Sequence, residues 1–98
     1  NKKIIVFCAS AFSKNVLTLL NYYYHDVDFI IDNNKNYIDQ KINNVLIKHS
    51  SFLKINAKLY LNHKILICHQ NTFTVKKICS QLKKFKFNNN NIFQITHI

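Results

Sequence analysis

The chain has 98 residues, one domain by size, and a formal net charge of +10 from fourteen lysines against four aspartates. A chain this short buries one modest core and has little room for an appended active site. It contains no apolar run of membrane-spanning length and no signal-peptide pattern, and its three cysteines have no framework spacing. No membrane span is expected, and the cysteines favour a reducing, cytoplasmic setting over a secreted disulfide scaffold.

In chain order, "KIIVFC" (3–8) is a short apolar, β-branched run that predicts a strand buried on both faces. Phe12, Val16, Leu17, Leu19, Leu20 and Tyr23 then recur at helical spacing, which predicts a helix over 11–23 with Ser10 as its N-cap. "VDFIID" (27–32) reads as a second buried strand, followed by the turn-like "NNKN". "NNVLIKH" (43–49) predicts a short strand, and "SSFLKI" (50–55) a short helix capped by Ser50 or Ser51. "HKILICH" (63–69) is another strand. Val75, Ile78, Cys79, Leu82 and Phe85 predict a helix over 72–85, "NNNN" (88–91) a polar loop, and "IFQITHI" (92–98) a final strand.

Short apolar strands alternating with amphipathic helices predict a single α/β domain over 1–98, with a mostly parallel sheet flanked by helices. Right-handed crossovers make a Rossmann-like topology the default. No linker, second domain or internal repeat interrupts the chain. Its alphabet is reduced: Gly, Pro, Met, Trp, Arg and Glu are all absent. Average usage would supply roughly seven glycines and five prolines. That composition suggests a reduced-alphabet or heavily substituted domain, and the missing initiator Met suggests an excised piece.

In a sheet of this kind, ligands lie beyond the carboxyl ends of the strands, where the strand order reverses. The first such place is "CASAFSK" (8–14), where a helix start offers backbone N–H groups and a positive dipole end. "KKIIVFCASAFSKNVLTLL", "VDFIIDNNK", "IDQKINNVLI" and "KILICHQ" together resemble the N-terminal Rossmann-like domain of bacterial polysaccharide-biosynthesis enzymes. Sugar O-acyltransferases and nucleotide-sugar dehydratases carry such a domain. The resemblance implies a nucleotide or nucleotide-sugar binding domain whose ligand is a UDP-sugar or NAD(P). It also implies a separate catalytic domain.

Carried over residue by residue, Cys8, Ser10 and Ser13 fall on the three glycines of the phosphate-binding turn, with Ala9, Ala11 and Phe12 between them. Asp32 and Asn33 fall on the pair that meets ribose or base, and His69 and Gln70 in the loop after a later strand. Asp39 and Lys86 also stand at glycine positions. The first glycine permits a tight turn, the second a close phosphate, and the third close helix packing. Their replacement predicts a surviving fold, a costly positive φ at Cys8, and weakened dinucleotide binding.

Other readings stand beside this one. Cys8, at a helix N-terminus among lysines, suggests a reactive thiol with His69 as its partner, although a small buried residue ending a strand is the simpler account. Asp32 reads equally as a ribose contact or as a turn cap. The five histidines, His25, His49, His63, His69 and His97, have no metal-ligand spacing, and no C-x-x-C occurs. Tyr22, Tyr23 and Tyr24 cannot share one helix face, so at least one is expected in the core. No catalytic set is visible. Two further classes remain: a folded scaffold without a ligand, and a lysine-rich module that binds nucleic acid non-specifically through charge.

Overall fold

The computed structural model describes residues 3–97. Its central strand is β1 (Ile4–Phe7), which leads into helix α1 (Ala11–Tyr22) and then β2 (Val27–Asp32). A 3-10 turn at Lys35–Tyr37 precedes β3 (Lys41–Ile42) and β4 (Val45–His49). Helices α2 (Ser50–Ile55) and α3 (Ala57–Tyr60) cross to β5 (Lys64–Cys68), which is followed by α4 (Thr72–Lys84). A second 3-10 turn at Asn89–Asn91 leads into β6 (Ile92–Ile95).

The sheet order is β3-β4-β2-β1-β5-β6, parallel throughout except for the antiparallel β3–β4 pair. From β1 the chain builds outward through β2 to β4, then returns to the other side of β1 with β5 and β6. This is the α/β, Rossmann-like arrangement expected from the element pattern, and its switch point lies between β1 and β5.

Strand alternation explains how both faces are covered. Ile5, Phe7, Phe29, Ile31, Ile65 and Ile67 point to one side, where Leu53 of α2 and Val75, Ile78 and Leu82 of α4 pack on them. Val6, Ile30, Leu66 and Cys68 point to the other side, against Val16 and Leu17 of α1. A fully buried Ile or Leu of this kind stabilises the fold by about 1.5–3 kcal/mol.

Several local expectations are corrected. The strand expected from Asn43 begins at Val45, because Asn43 (φ 49°) and Asn44 (φ 66°) form a two-residue hairpin turn with β3. The N-cap of α2 is His49, not Ser50 or Ser51: its ring accepts the Ser51 N–H. The last strand ends at Ile95, and Ile98 lies outside the described residues. Leu19, Tyr22, Tyr23 and Tyr24 are all exposed, so none of the three tyrosines enters the core. The reason is that α1 ends at Tyr22, and Tyr24 turns left-handed (φ 62°) to close the helix.

Tyr24 and Lys86 do the same work at two helix ends. His25 N–H bonds Leu20 O beyond α1, and Phe87 N–H bonds Leu82 O beyond α4. Each is a six-to-one closure around a left-handed residue, a place that usually holds glycine. Lys86 (φ 77°), Asp39 (φ 68°) and Cys8 (φ 90°) occupy three of the positions matched to glycines in the sequence, and all three are left-handed.

Candidate functional site

At the carboxyl ends of β1, β2 and β5 an open crevice of about 320 Å³ lies against α4. Cys8, Ala9 and Ser10 supply one wall, Asp32 and Asn33 the second, and His69 the entrance from β5. Thr74, Lys77, Ile78 and Gln81 supply the wall that sequence reasoning missed. Their spacing of three and four residues puts them on one face of α4, and this pattern was available in the sequence. Ala11, Phe12, Ser13 and Gln70 do not line the crevice. Phe12 packs instead with the α1 face of the core, and Ser13 is fully buried.

The turn from β1 into α1 is closed upon itself. Ser10 caps α1, its hydroxyl accepting the Ser13 N–H at 3.2 Å. Ser13 Oγ accepts the Ser10 N–H at 2.8 Å and donates to Ser10 O at 2.9 Å, which completes a capping box. Cys8 N–H bonds Ile31 O at 2.8 Å, extending the β1–β2 pairing. Ala9 N–H bonds the Asp32 carboxylate at 2.7 Å. Of the glycine-matched residues in this turn, only Cys8 requires the left-handed region; Ser10 is extended (φ −162°).

Asp32 is a cap in both directions. One carboxylate oxygen holds Ala9 N–H, and the other accepts Asn34 N–H at 2.8 Å as the chain turns after β2. The Asn33 side chain is engaged as well: its amide pairs reciprocally with that of Gln81, at 3.1 and 2.9 Å, tying the β2 rim to α4. His49 completes the rim. Its Nδ1 accepts Ser51 N–H, so its Nε2 carries the proton and donates to Asn33 O at 3.1 Å.

Burial works against the thiol reading. Burial pushes the Cys8 thiol up to about 12, and the nearby Asp32 charge and Cys68 add to the shift. No hydrogen bond joins the His69 ring to Cys8; its Nδ1 accepts Asn71 N–H at 3.0 Å. Cys8 is thus a neutral, buried strand end. Among the described residues no three His, Cys, Asp or Glu side chains gather as a metal site. None of the described helices is long and apolar enough to cross a membrane.

Two solved structures share this fold. UDP-D-quinovosamine 4-dehydrogenase from Vibrio fischeri superposes with a TM-score of 0.73 at 16% identity, covering 97% of this chain and 78% of that one. RSP, solved in complex with β-NADH, superposes with a TM-score of 0.71 at 9% identity, covering 96% of this chain and 52% of that one. At such identities the likeness carries the fold alone. No family model matches the sequence, and a search of curated proteins finds no match.

Proposed function

We propose that the chain is a nucleotide-binding domain whose ligand, a UDP-sugar or NAD(P), lies in the crevice beyond β1, β2 and β5. The observation that carries this reading is the coincidence of that crevice with the switch point of the sheet. Its walls come from three separate strand ends and α4. Asp32 and Lys77 give it one charge of each sign. The neighbours lend support: one is named a UDP-D-quinovosamine 4-dehydrogenase, and the other was solved with β-NADH. In the reading's finer form, residues 1–98 serve a cytoplasmic enzyme of polysaccharide biosynthesis whose chemistry resides in a separate catalytic domain.

Binding is weak in this reading, with Kd on the order of 1 mM for a single nucleotide. Three amides of the β1–α1 turn, at Ala9, Ser10 and Ser13, already hold side chains of this chain. The same saturation favours the second reading, a folded scaffold with no ligand. An amide-resolved NMR titration at physiological salt, with a UDP-sugar and then NAD, separates the two. Saturable shifts confined to residues 8–10, 32–33, 69 and 74–81 are expected; a well-dispersed spectrum that neither ligand moves would leave only the scaffold. Binding to nucleic acid through diffuse charge would instead fall steeply with salt and show no sequence preference.

A further inference from the structure

We infer that the crevice takes the diphosphate of its ligand on the α4 side, through His69, Thr74 and Lys77, and not on the N-terminus of α1. The inference rests on the nucleotide-binding reading and specifies where within that site the anion sits.

Within the crevice the α1 side disfavours an anion on two counts, and Ala11 and Phe12, whose N–H groups no described residue accepts, do not line it. The amides of Ala9, Ser10 and Ser13 are engaged by Asp32, Ser13 and Ser10 respectively. The group on Ala9 N–H is moreover a carboxylate at 2.7 Å, so a phosphate brought to the same turn meets a like charge. Cys8 adds a side chain at the position matched to the first glycine. The turn has in effect taken an anion from its own chain.

The opposite wall has the reverse character. Thr74 Oγ and Lys77 Nζ make no hydrogen bond or ion pair with the described residues, and both residues line the crevice. They sit three apart on α4, one turn of the same face. The Lys77 ammonium lies 4.6 Å from the Phe73 ring centroid, a contact that holds it without neutralising its charge. His69 contributes a third donor. Because its Nδ1 accepts Asn71 N–H, the neutral ring carries its proton on Nε2, which no described residue accepts. Of the first amides of α4, Thr74 N–H is capped by Asn71 at 3.1 Å, and Thr72 and Phe73 do not line the crevice. Three residues with side-chain donors that no described residue accepts, one of them charged, thus line the crevice opposite a wall whose amides at Ala9 and Ser10 are engaged and whose free donor is the Ser10 hydroxyl alone. A diphosphate is the chemical class that answers such a set.

The test is an NMR titration of the full chain at fixed ionic strength with inorganic pyrophosphate, ADP and adenosine, repeated on Lys77→Gln and Lys76→Gln. Lys76 is exposed on the same helix and does not line the crevice, so it controls for net charge. Pyrophosphate and ADP are expected to shift His69, Thr74 and Lys77 and to leave residues 11–13 unmoved. Lys77→Gln should weaken both by about tenfold, the loss of one charge-assisted contact. Lys76→Gln should change them by less than about twofold, since a solvated charge is screened. Adenosine should respond to neither substitution.

If ADP instead shifts residues 11–13 and ignores Lys77→Gln, the anion sits on α1, and the inference falls while the nucleotide reading stands. Equal losses in the two lysine variants also overturn the inference, leaving diffuse charge as the cause. Pyrophosphate shifts at His69, Thr74 and Lys77, reduced by Lys77→Gln without any response to adenosine or ADP, would support the anion site and sink NAD(P) as the ligand. Silence from all three probes overturns the anion site, and NAD(P) as the ligand with it.

Discussion

Two strand-to-helix turns face one another across the crevice, and they solve the same problem differently. The β1–α1 turn, residues 8–13, carries a left-handed Cys8, a reciprocal serine box and a carboxylate brought from β2. The β5–α4 turn, residues 69–74, has no left-handed residue and is held by Asn71 and by the His69 ring. Both helices start correctly. The second turn leaves the His69 Nε2–H and the Thr74 hydroxyl without acceptors among the described residues, whereas the first leaves only the Ser10 hydroxyl proton. A turn without glycine keeps its shape here by engaging the amides of Ala9, Ser10 and Ser13, and in doing so it withdraws those three from a ligand.

The largest effect should come from removing the carboxylate that closes the first turn. Asp32→Ala leaves Ala9 N–H and Asn34 N–H without their acceptor, and urea unfolding should show a loss of about 3 kcal/mol. His69→Ala in the second turn should lose less than about 1 kcal/mol, because only the exposed Asn71 N–H depended on it. Equal losses would mean that the two turns are alike after all. Next in size, Ser13→Ala removes a fully buried hydroxyl with two hydrogen bonds and should destabilise by about 2 kcal/mol. Asn71→Ala, an exposed cap, should cost about 1 kcal/mol.

Glycine itself is the finer probe. Lys86→Gly relieves an exposed left-handed residue and should raise stability by about 1 kcal/mol. Cys8→Gly relieves a similar φ but gives up a buried thiol, so its gain should be smaller, and the difference measures what that thiol contributes in the first turn.

The smallest effect near neutrality is that of pH. The Cys8 and Cys68 thiols are both raised from 9.0 to about 12 by burial. The folded state therefore keeps protons that the unfolded chain releases. Their contribution is intact below pH 9 and lost as pH rises from there through about 12. Alkylation of the native protein by iodoacetamide at pH 8 should accordingly fall on Cys79, the half-buried thiol, and spare Cys8 and Cys68.

Much of the fold was legible because strand and helix leave different periods in the sequence. The runs at 3–8, 27–32 and 63–69 lie within a residue or two of β1, β2 and β5, and Ser10 is the cap it was read to be. The two-residue β3 was not legible, since a pair of residues carries no period; its signal was the Asn43–Asn44 turn. His49 escaped notice as a cap because serine is the usual residue for that task, whereas here a ring nitrogen performs it. The crevice was half legible. Position matching supplied Cys8, Asp32 and His69, but the α4 wall follows from topology, which sets β5 and its helix beside β1. Ser13 lies outside the crevice for a physical reason: its hydroxyl turns back into the helix it begins.

The paired amides of Asn33 and Gln81 join residues 48 positions apart. Such a link forms only after β5 and α4 have docked on the far side of β1, so the β2 rim cannot take its final shape early in folding. The pair is neutral, and neither the chain's charge nor added salt weakens it as they would an ion pair. The crevice rim and the last long helix should therefore open together, as one cooperative unit in native-state hydrogen exchange, and the mouth of the crevice should be a late product of folding.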